Sequence, residues 1–157
     1  MVQPILEMQG IQKYFPGVHA LDDCRFELRA GEVHALVGEN GAGKSTLMKI
    51  LSGIYPRDGG SVRLDGREIN VKSTLEAQRL GISIIHQEIN LMQDLTVSEN
   101  IYIGREPMQG ILLNGAKQDA QTNALLDSLR LTDIRAGTRV RTLTVAKQQM
   151  VEIAKAL

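Results

Sequence analysis

The sequence predicts an α/β fold that passes into a helical part, and three observations carry that expectation. A short apolar run, Val33, Ala35, Leu36 and Val37, leads straight into the glycine cluster GENGAGKST at residues 38–46. Behind the cluster, Leu47, Met48, Ile50 and Leu51 recur at helical spacing, so the order is strand, glycine loop, helix. From about Leu91 onward, apolar residues keep a helical period and helix-start signals appear.

Taken in order, residues 24–28 alternate Cys24, Phe26 and Leu28 with Arg25 and Glu27, the pattern of a half-buried strand. RAGE is a turn, and residues 33–37 are the next strand. The helix after the glycine loop closes at Gly53. GGSVRLDGREI reads as a hairpin turning at Asp65-Gly66, a pair suited to a turn with two positive φ angles. Residues 73–80 form a short helix ended by Gly81, ahead of a strand, ISIIH, at residues 82–86. Thr96-x-x-Glu99 has the form of a capping box. A helix over residues 116–130 turns Leu125, Leu126 and Leu129 inward. In the last stretch Met150, Ile153, Ala154 and Leu157 have the i, i+3, i+4, i+7 spacing of a buried stripe. The expected organisation is an α/β part with a β subdomain at residues 1–90 and a helical part at residues 91–157.

Composition narrows the function classes. At 157 residues the chain is one domain by length. Eighteen basic residues cancel eighteen acidic ones, so no positive field argues for nucleic acid as a partner. The single cysteine, Cys24, forms no internal disulfide and suits a reducing cytosol. No apolar run approaches the length of a membrane span. His19, His34 and His86 lack ligand spacing and suggest no protein-borne metal site.

The glycine cluster fits G-x-x-x-x-G-K-[ST] at Gly38, Gly43, Lys44 and Ser45. Glycines let successive backbone N–H groups turn inward to phosphate oxygens, and the following helix adds its positive end. Lys44 is expected to reach the β- and γ-phosphates and the Ser45 hydroxyl to ligate Mg²⁺. Asn40, Gly41, Ala42 and Thr46 complete the cradle. The plain alternative is a glycine turn between a strand and a helix.

KYFPGVHALDD, VGENGAGKSTLMKILSGIYPRDGG, GISIIHQEINLMQDLTVSENIYIGREP and QQMVEIAKAL together resemble ABC-transporter ATP-binding subunits. More narrowly, they resemble the bacterial monosaccharide-import ATPases of the ribose, galactose and xylose type, over essentially the whole chain. The resemblance implies a P-loop NTPase core with an antiparallel β subdomain and a helical subdomain. It implies ATP and Mg²⁺ as ligands, with Lys44 and Gln87 catalytic and with Ser45 and Gln87 toward the metal. Phe15, two residues after Lys13, matches the aromatic that stacks on adenine; Tyr14 is the adjacent alternative, and either ring also suits core packing. The region 87–95 is implied to dock a membrane permease subunit, although Leu91, Met92 and Leu95 are equally readable as core. A periplasmic sugar-binding protein is an indirect partner. The implied location is cytoplasmic, peripheral on the inner face of the membrane.

The family signature, Leu-Ser-Gly-Gly-Gln and often two further glutamines, aligns with Leu143, Thr144, Val145, Ala146, Lys147, Gln148 and Gln149. On its own residues this is an N-capped buried helix. With the resemblance it is a relaxed signature: Thr144 keeps the hydroxyl, Ala146 keeps its N–H behind a Cβ, and Lys147 offers a cation to an anion. An intact glycine loop beside a relaxed signature implies the first of two ATPase halves, paired with a second half or a homodimer partner. The family continues with an aspartate for Mg²⁺, a glutamate for the attacking water and a histidine for the γ-phosphate. These lie beyond residue 157, so the chain is expected to be an N-terminal fragment, incomplete at its C-terminus. It is expected to bind ATP weakly without useful hydrolysis, while the full-length form is an ATPase. Two alternatives are a non-hydrolytic nucleotide-dependent interaction module and a cytosolic ABC ATPase outside transport.

Overall fold

The computed structural model describes residues 3–86 and 88–157. The fold is α/β, and the chain divides into two compact units, Met1–Ser83 and Ile84–Leu157. Each has its own apolar core.

The first unit is built on an antiparallel four-stranded sheet of order β2-β1-β3-β4. Its strands are β1 (Leu6–Phe15), β2 (Val18–Leu28), β3 (Gly59–Leu64) and β4 (Arg67–Ile69). β1 turns Leu6, Met8 and Ile11 into the core, and the step from Met8 to Ile11 breaks the two-residue period. A bulge at Gly10, with φ +63°, absorbs the odd residue and returns the apolar face to the inside. The facing Gly60 is required there: a Cβ would stand 2.5 Å from the Gln9 carbonyl oxygen. β3 and β4 turn at Asp65 (φ +49°) and Gly66 (φ +73°), as Asp-Gly dictates.

Helix α1 (Lys44–Leu51) lays Leu47 and Ile50 on the core formed by Leu6, Met8, Ile11, Leu21 and Val62. It closes through Gly53 at φ +73°, with Ile54 N–H reaching back to Lys49 O at 2.9 Å. Helix α2 (Thr74–Arg79) begins at Ser73, whose hydroxyl accepts from Glu76 N–H, and stops at Gly81.

Two strands expected from sequence, at residues 33–37 and 82–86, are absent among the described residues. Residues 33–37 and 82–86 are apolar enough for strands yet pair with nothing described, and Val33, Val37 and Ile85 stand exposed. A parallel strand takes its hydrogen bonds from neighbours distant in sequence, and no such neighbour lies beside them among the described residues.

The second unit holds α3 (Val97–Tyr102), α4 (Gly115–Ser128) and α5 (Val145–Ala156), with a small hairpin of β5 (Met108–Gln109) and β6 (Leu112–Leu113). The capping box forms as expected: Glu99 N–H donates to the Thr96 hydroxyl and the Glu99 carboxylate accepts from Thr96 N–H. The core gathers Leu91, Val97, Ile101, Leu126, Ile134, Val140, Val151 and Ala154. Leu126 is buried, with Leu125 and Leu129 packed at its margin.

The expected stripe of α5 is corrected in part. Ala154 is buried, but its buried neighbour is Val151, while Met150, Ile153 and Leu157 are exposed. Ala154 borders two apolar sides of the helix, one with Met150, Ile153 and Leu157 and one with Val151, and the local core takes the side with Val151.

Candidate phosphate-binding site

Residues 38–46 span a turn, closed by Ala42 N–H to Glu39 O at 3.2 Å, and the first turn of α1. Gly41 (φ +89°) and Gly43 (φ +82°) hold backbone conformations that side chains with a Cβ avoid. Gly43 has a second constraint, because a Cβ there would lie 2.5 Å from Leu21 Cδ2 and 2.9 Å from Ala20 O. Strand β2 therefore lies against the loop at Ala20 and Leu21.

The N-terminus of α1 is open where those of its neighbours are closed. Side chains of Ser73, Thr96, Asn114 and Thr144 cap α2, α3, α4 and α5, whereas α1 begins at Gly43 with no side-chain cap and no acidic residue in its first turn. Its first N–H groups are free for an anion. Lys44 curls back so that Nζ donates to Gly38 O and Glu39 O, each at 2.7 Å. This sets the ammonium on the loop's own carbonyls, from which a charged phosphate oxygen is a stronger acceptor able to draw it. Ser45 is exposed, Thr46 is partly covered, and Asn40, Gly41 and Ala42 are exposed.

Phe15 is half-buried at the end of β1, with Tyr55 edge-on at 5.3 Å between centroids and Lys13 Nζ 5.4 Å from its ring centre. Tyr14, the alternative aromatic, stacks instead on His19 at 4.2 Å with the rings 13° from parallel. Lys13 pairs with Asp58 at 3.0 Å. No local motif in YPRDGG announces this contact of Asp58. The Tyr14 backbone N–H, and then Lys13, hold the Asp58 carboxyl below the usual aspartate range. Gln87 lies outside the described residues.

In the second unit, Leu91 is core, with 7% of its surface exposed, while Met92 is exposed. Leu95 lines an open cleft of about 470 Å³ with Thr96, Glu99, Ile103, Leu113 and Asp119. Buried Asn100 fixes the segment before that cleft. Its Oδ1 accepts from Met92 N–H at 2.7 Å, and its Nδ2 donates to Met92 O and Thr96 O. Thr144 sits at the N-cap of α5, accepting from Lys147 N–H, and Ala146 is exposed beside it. The Lys147 ammonium is engaged by Asp133 at 2.7 Å, a bond that lowers the Asp133 pKa, so any anion there competes with a carboxylate.

A glycine loop with positive-φ turns, an uncapped helix behind it and a lysine folded over its mouth defines a P-loop nucleotide-binding protein. The comparisons narrow the class: a family model described as ABC transporter matches residues 21–157, and the chain belongs to that family. It is 59% identical over 99% of its length to the putative ribose/galactose/methyl galactoside import ATP-binding protein 2 of Burkholderia cenocepacia. It is 57% identical to the ribose import ATP-binding protein RbsA 1 of Rubrobacter xylanophilus and 48% to the xylose import ATP-binding protein XylG of Geobacillus kaustophilus, over 99% and 98% of its length. The chain spans about 30% of the length of these relatives, 31% for the last two. Among solved structures, the ADP conformation of MJ1267, an ATP-binding cassette of an ABC transporter, superposes with a TM-score of 0.83 at 28% identity. That match covers 99% of this chain and 65% of the other.

Proposed function

We propose that this chain is the ATP-binding part of a subunit that energises sugar import, coupling ATP binding and hydrolysis to uptake through a membrane permease. The observation that carries the reading is the loop itself, with its open helix end and its lysine folded onto the loop carbonyls, in a chain 59% identical to a protein named as an import ATP-binding protein. The two units are parts of one ABC ATPase domain. The N–H groups of Gly38, Asn40, Gly41 and residues 43–46 hold the phosphates while that of Ala42 closes the turn, Lys44 neutralises the β- and γ-phosphates, and Phe15 stacks on the base. Released from the loop carbonyls, Lys44 follows the charge that develops in phosphoryl transfer.

Magnesium fits this donor set only as an ion carried by the nucleotide. Among the described residues no group of three His, Cys, Asp or Glu gathers to hold a metal, whereas the exposed Ser45 hydroxyl stands in the first turn of α1. Ser45 and Gln87 are the residues that would hold it, and when bound it neutralises phosphate charge. Thr144, Ala146 and Lys147 form a relaxed signature toward nucleotide on a second ATPase half or a homodimer partner. The region 87–95 faces the permease subunit, with Leu95 and its cleft as the receiving surface and Leu91 as support beneath. A periplasmic sugar-binding protein acts indirectly, and the subunit works at the inner face of the membrane.

Two measurements test this reading. Equilibrium binding of a fluorescent ATP analogue to the 157-residue chain is expected to saturate and to weaken at least tenfold, about 1.4 kcal/mol, in Lys44→Ala. Disruption of the gene is expected to lower uptake of labelled ribose, galactose or xylose, with rescue by the wild type and not by Lys44→Ala. Saturable binding that ignores Lys44, or unchanged uptake of all three sugars, overturns the proposal.

A further inference from the structure

The end of β1 that carries Phe15 is the tip of a hairpin, with only Pro16 and Gly17 between the strands. What holds this tip is the segment between α1 and β3. Asp58 N–H donates to Gln12 O at 3.0 Å, the Asp58 carboxylate accepts from Tyr14 N–H at 2.7 Å, and its other oxygen accepts from Lys13 Nζ at 3.0 Å. The Lys13 side chain is only 8% exposed, so its charge depends on that partner. Tyr55, in the same segment, sets its edge against the Phe15 ring.

The geometry points to Asp58 as a positioning residue for the base of a bound nucleotide, acting by fixing the backbone and ring at the end of β1. This rests on the reading of Phe15 as the base platform. Two paths on the structure link that platform to the phosphate loop. Along β2, Val18 pairs with Phe15, while Ala20 and Leu21 abut Gly43, so platform and loop stand about 10 Å apart by strand rise, the scale of a nucleoside triphosphate. Along the chain, the loop opens α1, and the segment leaving α1 is the one that clamps residues 12–15. Among the described residues the hydrogen bonds and ion pair of Asp58 go to Gln12, Lys13 and Tyr14 and not to the phosphate loop, so its effect falls on the base and not on the triphosphate. A carboxylate that merely stabilised the hairpin would influence both ligands alike.

The test compares binding of Mg²⁺-ATP and Mg²⁺-tripolyphosphate to the 157-residue chain by calorimetry. Loss of a base stack weakens binding by about fivefold to about 100-fold. Phe15→Ala is expected to do this for ATP and to leave tripolyphosphate unchanged. Asp58→Ala is expected to weaken ATP at least threefold, again sparing tripolyphosphate, and Phe15→Ala with Asp58→Ala is expected to be no weaker than Phe15→Ala alone, the non-additivity of two residues acting through one contact. Asp58→Asn, which keeps an acceptor for Tyr14 N–H and loses the ion pair, serves where Asp58→Ala does not fold, with the same selectivity expected at smaller size. Equal weakening of both ligands, no effect on ATP, or strict additivity with Phe15→Ala overturns the role of Asp58 while leaving the platform standing. An unchanged ATP-to-tripolyphosphate ratio in Phe15→Ala removes the platform and the inference together.

Discussion

Gly41 and Gly43 share a positive φ, but their surroundings separate them. Nothing lies within 4 Å of where a Cβ on Gly41 would stand, whereas one on Gly43 would strike Leu21 and the Ala20 carbonyl. Alanine at either position carries the left-handed backbone cost of about 1–2 kcal/mol, and at Gly43 the loop must also shift away from β2. Gly43→Ala is therefore expected to weaken ATP binding at least tenfold more than Gly41→Ala, while urea denaturation shows Gly41→Ala destabilised by about 1–2 kcal/mol from strain and Gly43→Ala by more, since its Cβ also meets Leu21 and Ala20. Equal affinities for the two variants would show that contact with β2 does not set the loop. The loop's turn and the helix behind it are legible in sequence because G-x-x-x-x-G-K-[ST] is a local motif. The contacts of Asp58 are not, because its partners at residues 12–14 lie across a strand pairing that no spacing announces.

The best-defined element boundary is the start of α3, where the Thr96 hydroxyl and the Glu99 carboxylate cap the helix reciprocally. Thr96→Ala is expected to cost about 1 kcal/mol in urea denaturation. The Glu99 carboxyl is held below the usual glutamate range, first by the Thr96 backbone N–H and then by its hydroxyl. A lowered folded-state pKa means stabilisation that is complete above the unfolded value and is lost as pH falls through the folded one. Glu32, Asp58 and Asp133 are lowered too and have the same sign. Stability is thus expected to fall from neutral pH toward about pH 3, and Glu99→Gln to show a shallower fall; an unchanged slope would deny the box its ionic part. Elements of this kind, the capping box and the Asp65-Gly66 turn, were readable because their chemistry is complete within a few residues. The Gly10 bulge hides the alternation of β1 from a pattern reading, and residues 33–37 and 82–86 have the apolar pattern of strands without the partner that pattern alone does not supply. The second apolar side of α5 shows the same limit: periodicity finds an apolar face but does not choose between two.

At the scale of the molecule, each unit has a closed core, yet large apolar side chains remain on the surface of both. Val33 and Val37 are 100% and 92% exposed in the first unit, and Met150, Ile153 and Leu157 are exposed along α5 in the second. Water ordered around such groups favours burial against another surface, and a formal net charge of zero offers no long-range repulsion to prevent it. The chain is therefore expected to self-associate in a concentration-dependent way in sedimentation velocity. Because the driving force is apolar burial, association should strengthen on warming from the cold and on adding ammonium sulfate, and should respond little to sodium chloride. Val33→Lys combined with Ile153→Lys is expected to shift the distribution toward monomer without altering the loop, since neither residue belongs to it. Chains that stay monomeric across micromolar concentrations would mean that these side chains tolerate water as isolated surface residues do. Dissociation by sodium chloride instead would assign the contact to ion pairs, and the lysine variants would then strengthen or weaken it according to the charge they meet.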